Sequence, residues 1–149
     1  METINKLVEQ ALVEAGKLFI NPVLQDDMIH KKGFANFVTQ IDYKVQEFLT
    51  EKLQEIIPGS SVIAEESEEN KHLLEGYTWI MDPVDGTTNL MYDYHFSAIS
   101  VGLFKNSVPA AGFIYNPYMN EMFTAEKGKG AKLNGKVIKV RENCKVEDC

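Results

Sequence analysis

Eight consecutive residues, Asp82-Pro83-Val84-Asp85-Gly86-Thr87-Thr88-Asn89, combine the residue types needed for metal and phosphate chemistry. Two carboxylates, Asp82 and Asp85, stand three positions apart on backbone that cannot continue as a regular strand or helix. Pro83 removes a backbone donor and fixes its own φ, and Gly86 permits the turn that follows. Trp79-Ile80-Met81 just before them is apolar and strand-like, so the acids fall where a buried strand ends. Thr87 and Thr88 open a short helix, whose first N–H groups and positive dipole end attract an anion. Main-chain carbonyls in the Pro83-Val84 bend add a possible oxygen ligand. Carboxylates for a hard cation beside amides for a phosphate imply metal-assisted phosphate chemistry.

A third acid joins the pair if the strands are neighbours. Val62-Ile63-Ala64 is a short apolar strand that runs directly into Glu65, as Met81 runs into Asp82. Carboxylates crowded into one small volume stay ionised only when cations neutralise them. Magnesium suits such a set, because it prefers oxygen ligands and keeps waters available for chemistry. The ordinary alternative, solvated loop acids with Asp85 as a helix cap, is accepted for Glu66, Glu68 and Glu69 and rejected for Glu65, Asp82 and Asp85.

The surrounding pattern predicts the elements that hold these residues. Ile4, Leu7, Val8, Ala11, Leu12, Ala15, Leu18 and Phe19 follow the i, i+3, i+4, i+7 rule of an amphipathic helix over about residues 3–20. Asn21-Pro22 starts a shorter helix or a kinked continuation, which Lys31-Lys32-Gly33 ends. Asp42 precedes a second helix with Val45, Phe48, Leu49, Leu53 and Ile56 on one face, stopped by Pro58-Gly59-Ser60. Residues 66–76 read as a polar loop. After residue 95 the pattern changes to strands at 97–104, 110–115 and 121–125, joined by short turns, with a hairpin whose tip is Asn134-Gly135. Short turns between consecutive strands imply a mostly antiparallel sheet. Two N-terminal helices on such a sheet make an α+β layer.

Bulk properties narrow the function classes. With 149 residues the chain supports one domain with a real core. No apolar run approaches the roughly 20 residues of a membrane span, and Met1-Glu2-Thr3-Ile4-Asn5 has no signal-peptide character. A net charge of −7 disfavours nonspecific nucleic-acid binding; a bound cation can still reverse the local sign for a small phosphorylated substrate. Cys144 and Cys149 lack the spacing of a zinc site and read as reduced thiols of a cytoplasmic chain. His30, His72 and His95 read as surface or packing residues, and the lysines between 127 and 139 as a solvated face. Tyr92, Tyr94 and Phe96 alternate like a strand entering the core. The charged tail after Val137-Ile138-Lys139-Val140 reads as a chain cut short.

The octet resembles the signature of the inositol monophosphatase family, the magnesium-dependent, lithium-sensitive phosphatases. Phe37-Val38-Thr39-Gln40-Ile41-Asp42 is similar to the family's Val-Thr-x-x-Asp segment, and Ala64-Glu65-Glu66-Ser67 to its Gly-Glu-Glu-Ser segment with one change. Gly128-Lys129-Gly130-Ala131 and Leu133-Asn134-Gly135 resemble its late hairpins. The resemblance covers residues 1–149 as the N-terminal half of a layered αβαβα sugar-phosphatase fold, without the C-terminal half.

That resemblance implies specific roles. Glu65, Asp82 and the Val84 carbonyl would hold a first magnesium. Asp82 and Asp85 would hold a second, with an aspartate from a Trp-Asp-x-Ala motif that this chain lacks, giving two or three ions per complete site. Glu65 and Thr87 would position and deprotonate the attacking water, and Asp42 would hydrogen-bond Thr87. Asp85 and the Gly86 and Thr87 amides would contact the phosphate, and Lys31, with Lys32 a near-equal candidate, would be the basic residue of a loop at the metal site. The implied reaction is hydrolysis of a small phosphomonoester, inositol monophosphate first, by a homodimer. Fructose 1,6-bisphosphate, nucleotide 3′-phosphates and the 2′-phosphate of NADP stay open. A reading of another class is a non-catalytic binding or regulatory module that keeps the fold.

Overall fold

The computed structural model of the chain describes residues 1–20, 34–64 and 75–140. The predicted 21–33 segment with Lys31 and His30, the acids Glu65 to Glu69, His72 and both cysteines lie outside the described residues. Among the described residues two long helices, α1 (Glu2–Ile20) and α2 (Phe34–Ile56), precede seven strands. These are β1 (Ser61–Ala64), β2 (Tyr77–Asp85), β3 (Ala98–Lys105), β4 (Val108–Asn116), β5 (Glu121–Glu126), β6 (Gly130–Leu133) and β7 (Lys136–Ile138), with the short α3 (Thr87–Met91) after β2. They form one sheet in sequential order; β1 and β2 are parallel and every later pair is antiparallel. The expected α+β layer is what the structure has.

One face of the sheet carries the core. Trp79, Met81, Ile99, Val101, Leu103, Ala111, Phe113 and Tyr115 alternate along β2, β3 and β4 and are buried together with Val8, Leu12, Ala15, Ile41, Val45, Leu49 and Leu53 of the helices. The i, i+4 rows of the two helices therefore lie on the period-2 rows of the strands. The α1 stripe is narrower than the sequence suggests, because Leu7 and Leu18 are exposed. Beyond α2 the chain turns through Gly59, whose φ of 79° needs a residue without a Cβ. Ser60 Oγ then donates to the Ile57 carbonyl at 2.7 Å and accepts the buried Trp79 indole N–H at 3.1 Å, fastening the end of α2 to β2.

Two expectations need correction. α2 begins at Phe34, so Asp42 lies about two turns inside the helix rather than capping it. Nothing between residues 34 and 41 breaks a helix; the β-branched Val38-Thr39 pair only lowers helix propensity slightly, which does not stop one. Tyr92, Tyr94 and Phe96 do not enter the core. All three are exposed, on a loop where Asp93 and His95 adopt positive φ and Tyr92 stacks on Tyr94 at 6.0 Å.

The second face of the sheet is uncovered by any described helix. Ser100, Gly102, Phe104, Gly112, Ile114, Phe123 and Ala125 bound two apolar depressions there, of about 760 and 300 Å³. The inward neighbours Val101, Leu103 and Phe113 are sealed beneath the helices. An apolar face of this extent drives association. Light scattering of the 149-residue chain should therefore report a mass above that of a monomer at tens of micromolar, roughly the range used for such measurements; a monodisperse monomer would contradict this.

Gly16 sets how closely α1 approaches the sheet. A Cβ at this position would lie 2.8 Å from the Tyr115 ring and 2.9 Å from Pro117 Cβ. The ring is pinned, since Tyr115 is buried and its hydroxyl bonds Asn120 Oδ1 at 3.1 Å. Gly→Ala inside a helix normally stabilises by about 1 kcal/mol, whereas overpacking costs about 1–3 kcal/mol. Gly16→Ala should therefore lower the thermal midpoint, by roughly 4 °C for a net cost of about 1 kcal/mol. A raised midpoint would show that the helix slides away without penalty.

Candidate active site

The site begins as a fault in a strand. β2 runs in register against β3 from Tyr77↔Lys105 to Asp82↔Ser100, and the next pair is Asp85↔Ala98. Three steps on β2 thus oppose two on β3, a one-residue bulge. Pro83 lies within it, where its missing N–H removes no ladder bond. Asp82 Oδ1 accepts the Val84 N–H at 3.2 Å, a short Asx-type bond that holds the bend. Pro83 and Val84 are buried, Asp82 is half-buried and Asp85 is exposed. The apolar side chains anchor the bulge while the acids face outward.

After Asp85 the chain reverses at Gly86, with φ 88° and ψ 42°. Space as well as conformation requires glycine here. A Cβ would stand 3.2 Å from both the Phe96 carbonyl and Asn89 Nδ2, and 3.4 Å from Ser97 Oγ. The Gly86 carbonyl accepts from the Leu90 N–H at 3.0 Å and from Ser97 Oγ–H at 2.9 Å. Asn89 Nδ2 donates to the Phe96 carbonyl at 2.6 Å. Thr87 then starts α3, as the sequence predicts.

Asp42 reaches the same place from α2. It follows the buried Ile41 by one residue, about 100° round the helix, at the edge of the core-facing stripe. A pocket of about 160 Å³ is lined by Asp42, Asp82, Pro83, Val84, Asp85, Gly86 and Thr87. It is smaller than the depressions on the open sheet face, but the donors are here: three carboxylates, a threonine hydroxyl and the ends of main-chain amides. The 760 Å³ depression is lined mostly by Gly, Ala, Phe and Pro, with Glu126 salt-bridged to Lys129 at 2.8 Å. That pairing holds the Glu126 carboxyl below the usual carboxylate range.

Six residues predicted from sequence, Asp42, Asp82, Val84, Asp85, Gly86 and Thr87, therefore share one pocket. Glu65 and Lys31 lie outside the described residues. The last described residue of β1, Ala64, is the Cα partner of Met81, the residue before Asp82. Among the described residues, no group of three or more His, Cys, Asp or Glu side chains is close enough to hold a metal by itself. The described donors, all oxygen and mostly anionic, suit a hard cation such as magnesium, as a partial set that a further carboxylate would complete. His95 is an exposed surface residue that stacks on Tyr118 at 5.0 Å and bonds Asp93 at 2.9 Å. Sequence reasoning missed Ser97 and gave Asn89 no task, because their partners are main-chain carbonyls that come near only in three dimensions.

Comparison with known proteins identifies the family. The sequence model of the inositol monophosphatase family matches residues 1–149. Inositol monophosphatase 3 of Solanum lycopersicum is 37% identical over 134 residues, covering 88% of this chain and 50% of that protein. A protein of Aquifex aeolicus named fructose-1,6-bisphosphatase/inositol-1-monophosphatase is 35% identical over 150 residues, covering 96% of this chain and 56% of its own length. The crystal structure of extragenic suppressor protein suhB from Bartonella henselae superposes with a TM-score of 0.81 at 31% identity, covering 99% of this chain and 58% of that one. The chain spans about half the length of the curated relatives it matches. Because the family's sequence model matches residues 1–149 and the fold superposes on a solved structure at 31% identity, the chain belongs to the inositol monophosphatase family.

Proposed function

We propose that this chain is the N-terminal part of a magnesium-dependent phosphomonoesterase, with inositol monophosphate as its leading substrate. The observation that carries the proposal is the pocket in which the β2 bulge, the left-handed Gly86, Thr87 and the helical Asp42 meet. A non-catalytic module would have no physical need for this combination.

Asp82, the Val84 carbonyl and Glu65 would hold one cation, and Asp82 with Asp85 a second, completed by an aspartate from the family's second half. Bound there, magnesium supplies a water acidic enough to attack at neutral pH and neutralises charge on the departing oxygen. The chain's own residues do the rest. The Gly86 and Thr87 amides hold phosphate oxygens, aided by Lys31. Thr87 is too weak a base to ionise, so its hydroxyl orients the water. Asp42 orients Thr87 by accepting a hydrogen bond from its hydroxyl, and Glu65 takes the proton from the water. Water adds to phosphorus as the ester P–O bond breaks, giving phosphate and an alcohol.

The name of the Aquifex aeolicus relative favours fructose 1,6-bisphosphate as a second substrate. Nucleotide 3′-phosphates and the 2′-phosphate of NADP remain within the same chemistry. We further propose that the complete enzyme is a homodimer, as the family resemblance implies, and cytoplasmic, supported by a composition with only two cysteines.

Phosphate release with magnesium, measured on this chain and on one extended through the family's second half, tests the proposal. The extended protein should turn over and the short chain should be weak or inactive. In the extended protein Glu65→Gln should abolish turnover while the melting temperature stays within a few degrees, roughly a 1 kcal/mol change or less. Loss of fold rather than of activity would refute the role given to Glu65.

Asp42 and Thr87 should act as a unit. Asp42→Asn and Thr87→Ala should each cost about 10²-fold or more in kcat, and the double variant hardly more than either. Multiplicative losses would show that Asp42 acts independently of Thr87. Helix capping cannot be that independent role, because Asp42 lies inside α2.

A further inference from the structure

The turn that closes the pocket is braced from behind by a residue the sequence reading left out. Ser97, only 3% exposed, immediately precedes β3, and its hydroxyl donates to the Gly86 carbonyl at 2.9 Å. The same oxygen accepts the Leu90 N–H at 3.0 Å. These two bonds differ in what they fasten. The Leu90 bond is the first i→i−4 bond of α3 and joins the short helix to itself. A helix of five residues is a single turn with little cooperativity of its own. That bond alone leaves the whole turn able to tilt relative to the sheet. The Ser97 bond ties the turn to β3, and so to the rigid part of the core. Asn89 repeats the tie one residue earlier, through the Phe96 carbonyl at 2.6 Å.

The consequence for the pocket follows from peptide geometry. The Gly86 carbonyl and the Thr87 N–H belong to one planar unit, and no peptide bond among the described residues is cis. In a trans peptide the C=O and N–H vectors are antiparallel. A donor that fixes the carbonyl direction therefore fixes the N–H direction on the other side. Ser97 stands behind the turn, while Gly86 and Thr87 line the pocket in front. Gly86 itself carries no side chain to anchor the turn, and its φ of 88° is a conformation other residues rarely adopt.

We propose that Ser97 is a positioning residue that holds the Gly86–Thr87 peptide plane so that the Thr87 amide points at a phosphate oxygen of the substrate. This rests on the phosphatase reading above. Ser97 touches no substrate; it acts by keeping one N–H aimed.

Titration of the 149-residue chain with inorganic phosphate at fixed magnesium, followed by amide resonances of Gly86 and Thr87, tests this. The unmodified chain should show saturable shifts at both amides. Ser97→Ala should weaken the apparent affinity by about three- to tenfold, the value of one hydrogen bond. Its thermal midpoint should move little, because the Leu90 amide still satisfies the Gly86 oxygen. Ser97→Thr, which keeps the hydroxyl, should bind within about twofold of the unmodified chain on the same scale. Equal affinity of Ser97→Ala and the unmodified chain would overturn the positioning role and leave the phosphatase reading standing. So would a Ser97→Ala loss that Ser97→Thr does not rescue. No saturable shift in the unmodified chain would overturn the positioning role in this chain, whereas the phosphatase reading falls only if the extended protein releases no phosphate.

Discussion

A buried strand that must deliver two carboxylates to solvent cannot stay in its ladder, and the rest of the site depends on how β2 leaves it. From Thr78 to Met81 the strand is held by neighbours on both edges, parallel β1 and antiparallel β3. One extra residue then enters between Asp82 and Asp85. The bulge bends the strand and re-aims its side chains. Pro83 and Val84 turn inward as apolar anchors, and the acids on either side turn out. Regular pleating over these three steps would set Asp82 and Asp85 on opposite faces of the sheet, because they are an odd number of positions apart; the bulge matches them instead to Ser100 and Ala98, two positions apart on β3.

The helices make this bend a pocket rather than a surface loop. α2 packs Ile41, Val45, Leu49 and Leu53 into the core, and the same register sets Asp42 at the pocket edge. The Ser60 hydroxyl, shared between the Ile57 carbonyl and the Trp79 indole, locks the end of that helix to the strand carrying the acids. Gly16 lets α1 lie close over Tyr115 and Pro117 at the other side of the layer. Packing in the core and geometry at the site are therefore one problem, solved by the same rows of side chains.

The two faces of the sheet divide its tasks. One is closed by α1 and α2 and supplies the stability. The other carries small residues, Gly102, Gly112 and Ala125, among Phe104, Ile114 and Phe123, and no described helix lies on it. Small side chains on a sheet permit close approach by a further layer. The chain spans about half of its relatives' length, and the acids of the octet lie at the end of β2, beside β3, which contributes residues to that open face.

Local chemistry was readable from residue order alone. Proline between two aspartates, glycine after them and two threonines next dictate a bend, a left-handed turn and a helix start, since each follows from the φ range or hydrogen-bonding capacity of a single residue. Periodicity likewise set out α1, the body of α2 and the antiparallel meander, including the Asn134-Gly135 turn with φ of 48° and 77°. Residue order could not say that α2 starts two turns before Asp42, because helix propensity is a weak guide and no apolar stripe or cap marks the start. It also misread Tyr92, Tyr94 and Phe96, whose alternation comes without a partner strand. Only the folded chain decided that Ser97 and Asn89 would brace the Gly86 turn. Their partners are carbonyls seven to eleven residues away, and a main-chain carbonyl carries no mark in the sequence.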